Sequence, residues 1–144
     1  MIALDTNILV HAHRRDASLH DKAFALVKQL AESRAPWGIC YHGLVEFYGV
    51  ATRRGLWETA STPTQAFDQI DAWRESPGLR LLHDTEDCPD LLKELALNGT
   101  VTGGMIHDAR IVSCCLSHGI DELWTVDRDF SRFPRLRCRN PLAQ

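Results

Sequence analysis

Two short apolar runs, Ile2-Ala3-Leu4 and Leu123-Trp124-Thr125-Val126, each stop on an aspartate, Asp5 and Asp127. Runs of three or four residues are too short for helices, and apolar character without alternation marks strands covered on both faces. Residues 37–41 and 79–82 read as further strands, and residues 136–138 as a last short one. Between them the apolar period changes to that of a helix. Leu19, Ala23, Leu26, Val27 and Leu30 share one face of a helix that Ser18 is placed to cap and Pro36 ends. A brief helix is expected over residues 8–13, and longer ones over 43–54, 88–98 and 106–118. Thr62-Pro63-Thr64-Gln65 is a capping box with proline at the first helical position. Short strands alternating with helices predict an α/β fold, a central and mostly parallel sheet flanked by helices on both faces. At about 150 residues per domain, a chain of 144 residues is one domain, 1–144.

Composition removes several classes. No stretch reaches the roughly 18 apolar residues of a membrane span, and the opening Met-Ile-Ala-Leu-Asp has no basic region, so no signal peptide and a cytoplasmic location are expected. Five cysteines, with no CxxC among them, read as reduced thiols rather than a disulfide framework or a zinc ribbon. The net charge of −3 argues neither for nor against a nucleic acid partner, but its make-up and distribution say more. Thirteen of the 16 basic residues are arginine, whose planar fork suits phosphate. Five of these lie between Arg128 and Arg139, a basic patch compatible with a polyanion.

In an open α/β sheet the ligand crevice lies beyond the carboxyl ends of the strands, near a switch in strand order. Asp5 and Asp127 both point there. Glu46 and Asp108 lie in apolar surroundings, in Gly-Leu-Val-Glu-Phe-Tyr-Gly-Val and Ile-His-Asp-Ala-Arg-Ile-Val. Each acid alone has an ordinary reading as a helix cap, a turn former or a solvent-facing residue. Together their charges cannot converge without compensation. A divalent cation is the simplest compensation, and all-oxygen ligands favour Mg²⁺ or Mn²⁺ over zinc. Such a site suits phosphodiester cleavage. The histidines carry no HExxH, there is no GxSxG, and no phosphate loop of the GxxxxGK[ST] type occurs.

Leu4-Asp5-Thr6-Asn7-Ile8-Leu9-Val10 resembles the opening of PIN-domain nucleases. The acids Asp5, Glu46, Asp108 and Asp127, separated by 41, 62 and 19 residues, follow the order of that family's quartet. His107-Asp108-Ala109-Arg110-Ile111 and Leu123-Trp124-Thr125-Val126-Asp127-Arg128-Asp129-Phe130 are similar to the C-terminal signature of its VapC-type toxins, and the likeness covers essentially the whole chain. The resemblance implies a Mg²⁺- or Mn²⁺-dependent endoribonuclease, the toxin of a toxin–antitoxin pair. It also implies a homodimer held inactive by a cognate antitoxin protein, acting on an RNA substrate away from any membrane. Carried over residue by residue, it makes Asp5, Glu46, Asp108 and Asp127 ligands of the metal and its water, with Asp129 completing a second metal position. It gives Thr6, Asn7 and Thr125 the task of orienting carboxylates or phosphate oxygens. An inhibitor's arginine is expected to engage Asp5 or Asp108, with Phe47 and Tyr48 lining the adjoining groove. Two rivals remain: a catalytically silent module of the same fold that binds RNA or antitoxin, and an aspartyl phosphatase. The second lacks its expected second aspartate, since position 7 is asparagine.

Overall fold

Ile2–Leu4 forms β1, and the chain passes through the single residue Asp5 into α1 (Thr6–His13), then α2 (His20–Glu32). The structure is a computed structural model that describes residues 1–143. β2 (Trp37–Cys40) turns directly into α3 (Tyr41–Ala51), followed by α4 (Pro63–Arg74) and β3 (Leu79–Leu82). α5 (Cys88–Gly99) and α6 (Ile106–Ser117) lead into β4 (Glu122–Trp124), and a 3-10 turn at Arg128–Arg132 precedes β5 (Arg137–Arg139).

The sheet runs β3-β2-β1-β4-β5, and every pairing is parallel, more uniform than the mostly parallel sheet expected. β1 therefore lies in the middle. The chain builds outward from it to β3, then returns across the sheet to β4 and β5 on its other side. At β1 the strand order reverses, and there the helices that follow neighbouring strands diverge and leave a crevice.

Side chains of a strand alternate between faces, and the two faces carry two separate apolar cores. Leu4, Trp37 and Ile39 pack with Ile8, Leu9 and Phe47 under α1 to α4. Ala3, Cys40, Leu82 and Leu123 face the other way, into Val112, Cys115, Phe130 and Phe133. Among the described residues no helix is long and apolar enough to cross a membrane.

The capping box forms as the sequence predicts, with Gln65 N–H donating to Thr62 Oγ1 at 3.1 Å and Thr62 N–H to Gln65 Oε1 at 2.9 Å. Ser18 does not cap α2. The cap residue is Leu19, which makes no side-chain cap bond; its own N–H donates to the His11 ring of α1 at 3.3 Å. α3 starts at Tyr41 and ends at Ala51, earlier at both ends than the expected 43–54, because β2 feeds it without a loop. β4 stops at Trp124, which leaves Thr125 and Val126 beyond the strand and free to build the crevice.

Gly78 is required by a close approach rather than by its dihedral angles. Its carbonyl accepts the Trp37 N–H at 3.0 Å, and a Cβ there would press into the Ala35 carbonyl oxygen. A backbone atom cannot move aside as a side chain can. Gly78→Ala is expected to destabilise the fold by about 1–3 kcal/mol, read as a lower urea midpoint at unchanged m. Gly49→Ala, in α3 with nothing within 4 Å of the new carbon, should instead stabilise it by roughly 0.5–1 kcal/mol.

Candidate active site

Asp5 follows β1 and caps α1, with Oδ1 accepting the Thr6 N–H at 2.8 Å. Oδ2 accepts the Thr125 hydroxyl at 2.8 Å and the Asn7 amide at 3.0 Å. Asn7 also donates to Thr125 Oγ1 at 3.1 Å and accepts the Val126 N–H at 3.3 Å, while Asp127 N–H donates to Thr125 Oγ1 at 3.0 Å. The parallel register sets Leu4 beside Trp124, which makes this network possible across 118 residues of sequence. Thr6 takes a different position: its backbone holds Asp5, but its hydroxyl turns to the Gly43 carbonyl at 3.5 Å.

Asp5 is only 6% exposed and has no cation beside it among the described residues. Its carboxyl is held up at about 7, chiefly by burial. The Thr125 and Thr6 hydrogen bonds pull it back, and the charges of Asp108 and Glu46 push it further up. Asp108, on the first turn of α6, is pushed up to about 6, first by burial and then by Asp127, Glu46 and Asp129, with His107 opposing. Burial also raises Glu46, on the middle of α3, against the pull of His107 and Arg110. Asp108 is thus the link: Asp5, Glu46, Asp127 and Asp129 all lie near enough to couple with its charge.

They do not close on one point. Among the described residues no three His, Cys, Asp or Glu side chains converge as a ready ligand set. Asp127 Oδ1 accepts the Asp129 N–H at 2.8 Å and so caps the 3-10 turn, and Asp129 itself is exposed. The donor set nonetheless fits a hard cation: carboxylates that raise each other's affinity for a proton have the same attraction for Mg²⁺ or Mn²⁺.

Glu46 has neighbours that sequence reasoning passed over. His42 Nε2 lies 2.9 Å from Glu46 Oε1, Arg110 NH1 lies 3.2 Å from His42 Nδ1, and Arg110 Nε donates to Asp84 Oδ2 at 2.9 Å, with NH2 also 2.9 Å from that oxygen. The His107 ring stacks on His42 at 5.2 Å. Burial, then Arg110 and His107, lower the His42 pKa, with Asp84 opposing. The helical spacing of His42 and Glu46, one turn apart, was the one available signal.

Phe47 is fully buried against Trp73 and cannot line a groove, contrary to expectation. The exposed Tyr41, Val45 and Phe67, with Tyr48, border a cleft of about 520 Å³ between α3 and α4.

A raised carboxyl favours the protonated fold, so its stabilising contribution is complete below the unfolded value and is lost as pH rises toward the folded one. Metal-free protein should therefore lose stability between about pH 4 and pH 6 on account of Asp108. Asp108→Asn is expected to flatten that decline and to equal or exceed the parent's stability at neutral pH, measured by urea unfolding in chelator.

The PIN-domain family model matches residues 2–136. The chain is 32% identical over 142 residues to VapC ribonuclease Mb2897 of Mycobacterium bovis, covering 99% of this chain and 96% of that one. It is 27% identical over 139 residues to ribonuclease VapC48 of Mycobacterium tuberculosis, covering 96% of each. Among solved structures it is similar to VapBC2 of Rickettsia felis bound to a promoter DNA fragment, with TM-score 0.67, 25% identity and coverage of 97% and 98%. It also shares the fold of VapC20 of Mycobacterium tuberculosis, a Sarcin-Ricin loop cleaving toxin, with TM-score 0.69, 21% identity and coverage of 91% and 93%.

Proposed function

Since the chain belongs to the PIN-domain family, we propose that it is a divalent-metal-dependent endoribonuclease, the toxin of a toxin–antitoxin pair. The observation that carries this reading is the buried Asp5 carboxylate, which has no cation of its own and faces Glu46 and Asp108. Ribonuclease relatives that match along nearly the whole chain support it. Asp5, Glu46, Asp108 and Asp127 would hold Mg²⁺ or Mn²⁺, with Asp129 at the outer edge. Bound there, the ion would supply an activated water and stabilise the charge that develops as the phosphodiester is cleaved. Thr125 and Asn7 fix the Asp5 carboxylate by donating to Oδ2, and the Thr6 N–H holds Oδ1, so Asp5 keeps one orientation with no solvent shell to rearrange. Protonation removes the negative charge and turns one oxygen into a donor, so holding a cation requires the four acids deprotonated.

The RNA backbone is assigned to the arginines beyond β4. Arg135 is paired with Glu94, and Arg137 and Arg139 share Glu122. Arg128 and Arg132 have no ion pair among the described residues, and Arg128 lies in a cleft of about 620 Å³ that it shares with Thr125, Asp127 and Asn140. The antitoxin, by this reading, sets an arginine against Asp5 or Asp108 and apolar residues into the α3–α4 cleft. The working form is a cytoplasmic homodimer.

Purified protein is expected to cleave single-stranded RNA with Mg²⁺ or Mn²⁺ and to stop on chelation. Asp5→Asn and Asp108→Asn should lower the rate by orders of magnitude while the protein stays folded. Undiminished cleavage after exhaustive metal removal would sink the proposal. Arg128→Gln should bind RNA more weakly in chelator, and the slope of log affinity against log salt should fall by about 0.7, the share of one single-strand phosphate contact. Arg53→Gln, far along the chain in the turn after α3, should leave that slope unchanged.

A further inference from the structure

The link between Asp84 and Glu46 runs through three elements: the segment after β3, α6 and α3. Its hydrogen-bond directions are forced. A guanidinium has donors and no acceptor, so Arg110 donates to Asp84 and also to His42 Nδ1. An imidazole that accepts at Nδ1 carries its proton on Nε2, and the nearest acceptor for that proton is Glu46 Oε1 at 2.9 Å. His107 Nδ1 is hydrogen-bonded to the same Nε2 at 3.2 Å, so the ring's one Nε2 proton lies between His107 and the closer Glu46 oxygen. A protonated His42 would set an N–H against the guanidinium. The contact between His42 and Glu46 is therefore a close polar contact, at 2.9 Å, from the Nε2–H side of a neutral ring.

We propose that Asp84, Arg110 and His42 form a positioning relay that holds one oxygen of Glu46 and leaves the other facing the acidic crevice. The inference rests on the reading of Glu46 as part of a metal-holding site. Three observations carry it. Glu46 Oε1 is tethered, whereas Oε2 has no hydrogen bond among the described residues. His42 is largely buried, with a side chain 12% exposed, so its ring is held on both sides rather than free to swing. Arg110 stands two residues from Asp108 on the same helix, so one side chain ties the α6 acid to the α3 acid. A glutamate on an exposed helix face samples several rotamers, and a relay that selects one lowers the ordering cost of binding a cation.

The test compares His42→Phe, which keeps a ring but no nitrogens, with His42→Gln, whose amide restores a donor near the Nε2 position. Arg110→Met, Glu46→Gln and Asp5→Asn complete the set. Each is measured for thermal stability, for Mn²⁺ affinity by calorimetry, and for the RNA kcat and KM. Imidazole ¹⁵N spectra of the metal-free parent should give a single Nε2–H tautomer for His42, and Arg110→Met should give a mixture. His42→Phe should weaken Mn²⁺ binding roughly 10- to 100-fold, the usual range for a residue that orients a ligand. His42→Gln should recover most of it, and the KM for RNA at saturating Mn²⁺ should stay near the parent's. Equal Mn²⁺ affinity in folded His42→Phe and the parent would overturn the relay, as would a His42→Gln no better than His42→Phe. If Glu46→Gln and Asp5→Asn weaken Mn²⁺ binding while His42→Phe does not, the relay alone falls. If none of the three changes it, the metal-site reading falls as well.

Discussion

Burying a carboxylate between two strand ends is costly unless its oxygens find donors, and at Asp5 three donors surround them: the Thr6 N–H, the Asn7 amide and the Thr125 hydroxyl. Much of the architecture serves that arrangement. β1 must be central so that β4 can lie beside it, and β4 must stop at Trp124 so that Thr125 is free to turn toward Asp5. α1 must begin at once so that its first N–H reaches Oδ1. The hydrogen bonds offset part of the desolvation cost but not all of it, and the remaining imbalance holds the Asp5 carboxyl above its ordinary range.

The parts of this design that depend on neighbours in sequence were legible in the residues. Apolar triplets ending in aspartate gave the strands and the end of the sheet that holds the site, and the Thr62–Gln65 capping box fixed the start of α4. Features that depend on distant neighbours were not. Ser18 has the right chemistry for a cap, yet His11 from α1 satisfies the Leu19 N–H instead. Phe47 sits beside Tyr48 in sequence but points into the core, because residues one apart on a helix do not share a face. His42 and Arg110 are 68 residues apart, and nothing local marks either as the other's partner.

The cysteines illustrate the same division. Their odd number and spacing argued for free thiols, and five free thiols are what the fold contains. Cys40 and Cys115 lie within 3.8 Å in the second core, but neither position alone hints at this. The contact with the Cys40 sulfur, then burial, raises Cys114, burial raises Cys138 to about 11, and the Cys40 thiol is also held well above its ordinary value. These groups behave as small apolar side chains, chemically quiet because the thiolate is the reactive form.

The placement of β1 also bears on synthesis. β1 precedes the other four strands of the sheet in sequence yet lies in its middle, and the donor that completes the Asp5 network follows 120 residues later with Thr125. A ribosome adds residues in order at about 5–20 per second, so the early helices can form long before β4 emerges. Until then Asp5 and Asp108 belong to a half-built sheet whose central edge is open, and the crevice between them does not exist. The acidic crevice is therefore assembled only once β4 has paired with β1 and Thr125 has reached Asp5.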